Sequence, residues 1–327
     1  MSHQNIKGRF APSPSGRMHL GNAYAAYLSW LSAKSKGGSW LLRIEDLDPQ
    51  RCRMEYALQL EDDLRWLGFE WDEGGTEQRG DNGPYVQSQR NEIYEHYLSV
   101  LREEGITYPC HCTRAEIMAT QAPHESDGRI VYQGTCRPEY LNGLDARSPI
   151  PSHLNHLTDS AEEGSTVRLY VPDREIAFID GHYGPQAVNL AQHCGDFALR
   201  RKDGAWAYQL AVVVDDALMG VTEVVRGRDL LLSSAQQIYL YDLLNFPAPA
   251  FIHHPLLCND AGQRLCKRDK SMDMGIIRQH YKAEEIIGIL TYHAGITDRM
   301  EALSLREALQ EFEWKKVPCS DIILEKY

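Results

Sequence analysis

Arg9-Phe-Ala-Pro-Ser-Pro-Ser-Gly-Arg-Met-His-Leu-Gly-Asn22 opens as a short apolar run and breaks at Pro12, Ser13, Pro14, Ser15 and Gly16. It then passes into helical spacing, with Leu20, Ala23, Tyr24, Tyr27, Leu28 and Leu31 on one face. The stretch predicts a strand, a tight loop and a helix, with His19 and Gly21 at the helix start. A helix N-terminus presents unpaired N–H groups and the positive end of the dipole. Gly21 has no side chain to hold a ligand off, so this is a candidate phosphate or nucleotide cradle. An ordinary α/β connection would share the Pro and Ser residues, so the rest of the chain decides.

After the first helix, Gly37 and Gly38 turn the chain into Ser39–Ile44, which reads as a buried strand ending in Glu45-Asp46-Leu47-Asp48-Pro49. Strand, helix, strand is the start of a parallel α/β sheet, whose ligands sit outside the carboxyl ends of the strands. Glu45 is at such an end and is a candidate ligand contact, although acids there also cap helices.

A chain of 327 residues suggests about two domains. Hydrophobic residues at 43% and charged residues at 24% are ordinary for a globular protein. The N-terminus lacks the apolar core of a signal peptide, and no apolar run is long enough to span a membrane. A cytoplasmic protein with its 8 Cys reduced is expected. The net charge of −12 argues against non-specific nucleic-acid binding by overall charge, but leaves room for a local basic surface.

Helical spacing recurs over Arg53–Leu67, stopped by Gly68, and over Asn91–Glu104, stopped by Gly105. Tyr108-Pro109-Cys110-His111-Cys112 and Tyr132-Gln133-Gly134-Thr135-Cys136 then bring three thiols close in sequence. In a reduced protein that pattern suits tetrahedral Zn²⁺. Spacing leaves the fourth ligand open among Tyr132, His111 and His124.

Residues 138–163 read as loop or linker. Thr166–Val171 and Ala177–Asp180 read as strands, and Asp196–Tyr208 as a hairpin turned at Asp203-Gly204. Leu210–Val214 is an apolar helix or strand before Asp215 and Asp216. Val221–Val225 is a β-branched strand ending at Arg226, Ser233–Leu244 is helical, and Phe251–Leu257 is extended. Gln263–Met272 is the densest basic stretch. Its Lys267, Arg268, Lys270 and Ser271 could hold a polyphosphate or simply be solvated. Amphipathic segments at Gly275–His280, Ala283–Leu290 and Ala302–Phe312 make a small helical tail. There is no Walker loop, Gly-X-Gly-X-X-Gly or Gly-X-Ser-X-Gly.

Three separated pieces resemble one family. His19-Leu20-Gly21-Asn22, preceded by Pro-Ser-Pro-Ser-Gly, resembles the "HIGH" signature of class I aminoacyl-tRNA synthetases. Lys267-Arg268-Asp269-Lys270-Ser271 resembles their "KMSKS" loop, departing from it at Arg268 and Asp269. Arg9–Gly16, Arg43–Asp48, Ala207 and Tyr208, Val212–Asp216 and Val224–Gly227 are similar to the glutamyl and glutaminyl branch. The resemblance covers nearly the whole chain.

It implies an α/β fold: a Rossmann-like class I catalytic domain with an inserted zinc-containing acceptor-type subdomain and a short helical C-terminal tail, without an anticodon-binding domain. The expected division is 1–105 and 208–258 for the two halves of the catalytic domain, 106–207 for the insertion, and 259–327 for the Lys-Ser loop and tail. The short tail and the Cys-X-Cys…Tyr-X-X-X-Cys cluster are similar to a truncated paralogue within that branch. That paralogue places activated glutamate on the queuosine base of tRNA(Asp) rather than on the 3′ end.

The resemblance further implies the chemistry. The α-carboxylate of L-glutamate attacks the α-phosphorus of ATP, pyrophosphate leaves, and glutamyl-adenylate forms. His19 and Lys270 would be catalytic. Pro12, Gly16, His19, Gly21, Asn22, Lys270 and Ser271 would bind ATP, with Mg²⁺. Arg9, Phe10, Ala11, Pro12, Ser13, Glu45, Tyr208 and Arg226 would bind glutamate. Cys110, Cys112, Tyr132 and Cys136 would hold one structural Zn²⁺. A monomer without membrane attachment is expected. The rivals are 3′-end charging of a glutamate tRNA and a non-catalytic glutamate- or tRNA-binding regulator.

Overall fold

The computed structural model describes residues 5–119, 131–143, 164–265 and 273–324. The chain begins as the opening stretch predicts. β1 (Lys7–Phe10), α1 (Leu20–Ser35), β2 (Ser39–Leu42), α2 (Met54–Trp66) and β3 (Glu73–Gly74) alternate, and the strands pair in parallel in the order β1-β2-β3. α3 (Asn91–Glu103) follows. Gly68 and Gly105, at φ of +89° and +71°, stop α2 and α3.

An insertion comes next. β4 (Thr107–Cys110), the short α4 (Arg114–Ala119), β5 (Thr166–Leu169), β6 (Glu175–Asp180), β7 (Gly184–Asn189), α5 (Leu190–His193) and β8 (Phe197–Arg200) form an antiparallel β4-β5-β8 sheet and a β6–β7 hairpin. The expected hairpin turned at Asp203-Gly204 is present, short and irregular: the Gly204 N–H donates to the Arg201 carbonyl at 2.9 Å, the Arg201 N–H to the Ala205 carbonyl at 2.8 Å and the Ala207 N–H to the Leu199 carbonyl at 3.0 Å. β8 also pairs with β5 on its other edge, and Tyr208, expected to end the hairpin, starts a helix.

The parallel motif then resumes with α6 (Tyr208–Leu218), β9 (Glu223–Gly227), α7 (Leu231–Leu243) and β10 (Ala250–His254). The apolar run at Leu210–Val214 is therefore helical, buried between neighbours on several sides. β9 and β10 pair in parallel. β9 also runs along the free edge of β1, where the Thr222 N–H donates to the Lys7 carbonyl at 2.9 Å and the Lys7 N–H to Thr222 Oγ1 at 2.9 Å. The strands thus lie in the order β3-β2-β1-β9-β10. From β1 the chain continues to one side of the sheet and from β9 to the other. This is the topological switch point at which open α/β sheets bind ligands.

β11 (Leu257–Cys258), α8 (Met274–His280), α9 (Ala283–His293), α10 (Leu305–Glu311) and β12 (Ile322–Ile323) complete the described chain, with β12 parallel to β11. The tail is part of the main core. All six residues of the predicted α1 stripe are buried, and so are Ala26, Ser29, Ser32 and Ala33 on its other side. Leu290, Leu305, Ala308 and Phe312 belong to the same apolar cluster as α1, and Trp314 Nε1–H donates to Ser32 Oγ at 3.0 Å. A separate small cluster of Tyr108, Cys110, Tyr132, Leu141 and Tyr170 surrounds the thiols. Among the described residues no helix is long and apolar enough to cross a membrane.

Candidate active site

The ends of β1 and β9, the 11–15 loop and the start of α6 wall a cavity of about 470 Å³. Arg9, Phe10, Ala11, Pro12, Ser13, Glu45, Tyr208 and Arg226 all line it, together with His19 and Asn22. Ser15, Asp229 and Arg264 also line it and were not anticipated. A larger concavity of about 690 Å³ opens between Trp30, Lys34, Arg65 and Trp71. Two of its cations are paired with carboxylates, Lys34 with Asp72 at 2.7 Å and Arg65 with Glu61 and Glu77 at 3.3 Å each, and Arg79 Nη1 donates to the Trp71 carbonyl at 3.1 Å.

The floor of the first cavity is a buried network of alternating charge. Arg43 Nη1 donates to Asp216 Oδ1 at 2.6 Å and Nη2 to Glu45 Oε1 at 3.0 Å, while Nε lies 3.6 Å from Asp215 Oδ2. Arg90 Nε donates to Asp215 Oδ1 at 2.6 Å. Gln87 and Tyr94 fill the other oxygen of Asp215, at 2.8 and 2.9 Å. Arg9 Nε stands 3.6 Å from Asp216. Burial pushes the Glu45 carboxyl up, and Arg43 and Arg9 oppose it. The ion pairs with Asp216, Glu45 and Asp215 outweigh the burial of Arg43 and hold its pKa above the usual guanidinium value. Asp215, Asp216, Arg90 and Gln87 were not singled out as site residues. Their only local signal is the Asp-Asp pair that ends an apolar run.

Arg226 differs from the other three guanidinium groups. It is 5% exposed and lies over the Phe251 ring, yet no described carboxylate is within 4 Å. Nη2 donates to Ser234 Oγ at 2.6 Å and Nε to His253 Nε2 at 3.3 Å, and Nη1 has no partner. Burial lowers its pKa, and Tyr208 opposes that shift. Of the four guanidinium groups, Arg226 alone has no described carboxylate within 4 Å.

At the other end of the cleft, His19 is the N-cap of α1. Its Nδ1 accepts the Gly21 N–H at 3.1 Å, and the His19 N–H donates to Asn22 Oδ1 at 3.2 Å. The His and the Asn three residues later therefore cap each other, the logic of a capping box. With Nδ1 accepting, the proton of the neutral ring is on Nε2. Gly21 is required by contact: a Cβ there would meet His19 Cε1 at 3.0 Å and Leu265 Cβ at 3.7 Å. Gly16, at φ +143°, turns the loop that leads in.

Lys270 and Ser271, with 266–272 as a whole, lie outside the described residues. Both flanks of that stretch sit on the first signature. Leu265 is beside Gly21, Asp273 bridges to His19, and the Met274 N–H donates to the Met18 carbonyl at 3.0 Å. A smaller cavity of about 50 Å³ joins this end, lined by Gly21, Tyr24, His254 and Leu257.

The sulfurs of Cys110, Cys112 and Cys136 lie within 4.8 Å of one another, a group that could hold a metal ion. β4 delivers Cys110 at its last residue. The Tyr132 hydroxyl is 3.4 Å from Cys110 Sγ and accepts the Cys136 N–H at 2.7 Å. Arg168 stacks on the Tyr132 ring at 3.7 Å, and Asp196 ties Arg137 and the Val171 N–H behind it. Burial and the neighbouring sulfurs push the Cys112 thiol up to about 11. The donor set fits a thiophilic cation, because a divalent ion removes the mutual repulsion of close thiolates. His111 is exposed, and His124 lies outside the described residues.

Residues 5–320 match the family described as tRNA synthetases class I (E and Q), catalytic domain. The chain belongs to that family. It is 47% identical over 295 residues to a glutamyl-Q tRNA(Asp) synthetase of Nitratidesulfovibrio vulgaris, covering 89% of this chain and 87% of the relative. It is 46% identical over 318 residues to a glutamyl-Q tRNA(Asp) synthetase of Symbiobacterium thermophilum, covering 95% and 93%. A crystal structure of a glutamate tRNA ligase from Elizabethkingia meningosepticum in complex with its amino acid superposes with a TM-score of 0.80 at 28% identity, covering 98% of this chain and 67% of that one.

Proposed function

We propose that this protein activates L-glutamate with ATP and transfers the glutamyl group to the queuosine base at the wobble position of tRNA(Asp). The observation that carries the amino-acid part is Arg226, a buried guanidinium with no carboxylate of its own and Nη1 unpaired, in one cavity with Arg9 and Glu45. Glutamate brings two carboxylates and one ammonium, which call for two cations and one anion such as Arg9, Arg226 and Glu45 supply. The acceptor is supported by the names of relatives at 46–47% identity over most of their length.

In this reading Arg9 and Arg226 meet the carboxylates and Glu45 takes the ammonium. Phe10, Ala11, Pro12, Ser13 and Tyr208 shape the rest of that pocket. A carboxylate oxygen forms a bond to the α-phosphorus, the bond to the β-phosphate side breaks, and pyrophosphate leaves. A hydroxyl of queuosine then attacks the carbonyl carbon and AMP leaves. Pro12, Gly16, Gly21 and Asn22 bring backbone and the α1 N-terminus to ATP, and His19 and Lys270 stabilise the charge that develops, with Ser271 beside them. Mg²⁺ accompanies ATP and neutralises its phosphates. Cys110, Cys112, Cys136 and Tyr132 would hold one structural Zn²⁺. The domain division at 105, 207 and 258, a monomeric state and a cytoplasmic location complete the proposal.

The test is ATP–pyrophosphate exchange with glutamate, glutamine and aspartate, followed by mapping of labelled glutamate on nuclease-cleaved tRNA(Asp). Exchange with glutamate alone, its loss in Lys270→Ala, and label in the anticodon fragment are expected. Label at the 3′ end would instead favour conventional charging, the reading that the similarity to the glutamate tRNA ligase supports. No exchange under any condition would favour a binding regulator.

A further inference from the structure

Arg226 is fixed by a hydrogen-bond chain that begins outside the cleft, at Asp180, the last residue of β6. The Asp180 carboxylate is 2% exposed. Its Oδ1 accepts the His182 and Tyr183 N–H groups at 3.0 and 2.8 Å. Its Oδ2 faces His253 Nδ1 at 2.6 Å. An ionised carboxylate can only accept, so Nδ1 carries the ring proton and Nε2 of the neutral ring is an acceptor. Nε2 has two donors around it, Arg226 Nε at 3.3 Å and Ser234 Oγ at 3.0 Å. The guanidinium is thus gripped at Nε and Nη2, and the unpaired Nη1 remains for a ligand.

We propose that Asp180 and His253 are positioning residues for Arg226: Asp180 sets the His253 tautomer, and the bare Nε2 aims the guanidinium at a substrate carboxylate. The identity of that carboxylate as glutamate rests on the function proposed above; the hydrogen-bond logic does not. The groups that face the ring are Asp180 from β6, Arg226 from β9, Ser234 from α7 and Arg9 from β1, with Phe251 stacked alongside. Burial lowers the His253 pKa, Asp180 opposes this, and Arg226 and Arg9 lower it further, so the neutral ring is the stable form. A plain structural staple between β6 and β10 would need only the Asp180–His253 contact and would be indifferent to the other ring nitrogen.

Asp180→Asn separates the two. The amide oxygen keeps the backbone N–H groups, and the amide nitrogen, which can only donate, faces His253 Nδ1. The ring proton moves to Nε2 and meets the Arg226 Nε–H. The glutamate KM in pyrophosphate exchange should rise about tenfold or more, with the ATP KM within about twofold of wild type. His253→Gln places an amide oxygen near the Nε2 position and should stay within a few-fold of the wild-type glutamate KM. His253→Asn reaches only the Nδ1 position and should behave like Asp180→Asn. Nitrogen NMR of labelled histidine should show His253, assigned by its loss in His253→Gln, as the neutral Nδ1–H tautomer. An unchanged glutamate KM in Asp180→Asn, equal KM values for the two His253 variants, or an Nε2–H tautomer in the wild type would overturn the proposal. If Asp180→Asn does not fold, the His253 pair and the wild-type tautomer decide. If the wild type shows no glutamate-dependent exchange, the function reading fails and the tautomer still tests the positioning.

Discussion

The cleft joins residues far apart in sequence and the thiol cluster residues of one short stretch, and the two differ in how their polar groups are balanced. In the cleft every carboxylate of the floor has a guanidinium within 3.6 Å, and one guanidinium, Arg226, is left over. The thiol cluster gathers three sulfurs and a phenol, with Arg168 stacked on the phenol ring and Arg137 held by Asp196 behind it. A network that is balanced internally holds its shape and meets a substrate with a preset charge. A set of soft donors of one kind is organised by the cation it takes. The cleft is thus preorganised by the fold, whereas the thiol cluster is a donor set that a metal could complete.

Removing the odd charge is the hardest blow to the cleft. Arg226→Ala should lower kcat/KM for glutamate in the exchange reaction by on the order of a thousandfold, and Arg226→Lys should recover little of it, because the paired N–H geometry is lost. Steady-state kinetics at saturating ATP checks both, and a loss confined to the ATP KM would contradict the assignment.

Acid should also weaken the protein, through the buried His254 imidazole beside His19 and Gly21. Burial holds His254 down at about 4, below its unfolded value. Below the unfolded pKa the unfolded chain takes up a proton that the folded ring refuses. Stability is thus fully present above about pH 6.5 and lost as pH falls toward 4, by on the order of 3 kcal/mol for this group. Urea midpoints across that window should fall, and His254→Leu should flatten the slope.

On the other side of the comparison, Cys110→Ser should reduce bound zinc from about one ion per chain toward none. Tm should fall by several degrees, while exchange in the absence of tRNA changes less than in Arg226→Ala. Metal analysis with unchanged stoichiometry would remove the zinc assignment and leave the cleft untouched.

The smallest effect is expected at Gly21→Ala. The added methyl displaces the His19 ring that accepts its N–H, and the ATP KM should rise about tenfold with the glutamate KM nearly constant.

Much of this was legible before any coordinates. β1, the loop and α1 follow from an apolar run, turn residues and a helical stripe, all local signals. Glu45 and Arg226 could be nominated because each stands at a strand end, Arg9 and Tyr208 through the resemblance, and the three cysteines because their chemistry is rare. The hairpin reading at Asp196–Tyr208 held at its Asp203-Gly204 turn, a local signal, but could not show that the other edge of β8 pairs with β5. The second buried face of α1 was unreadable because its cover comes from distant parts of the chain: Trp40 Nε1–H donates to Ser29 Oγ, Ser32 Oγ–H to Glu223, and Trp314 Nε1–H to Ser32 Oγ. Asp180 and His253 carry no motif at all and lie 73 residues apart.

The opening stretch by itself determined the α/β start and a helix N-terminus that could take a phosphate. It could do so because hydrophobic period, turn chemistry and caps act over a few residues. Only the tertiary structure decided that Arg226 has no carboxylate of its own, that Asp180 and His253 hold it, and that both flanks of 266–272 close on His19 and Gly21. Charge balance and hydrogen-bond direction depend on which side chains meet across the sheet, and strand order, not spacing along the chain, determines those meetings.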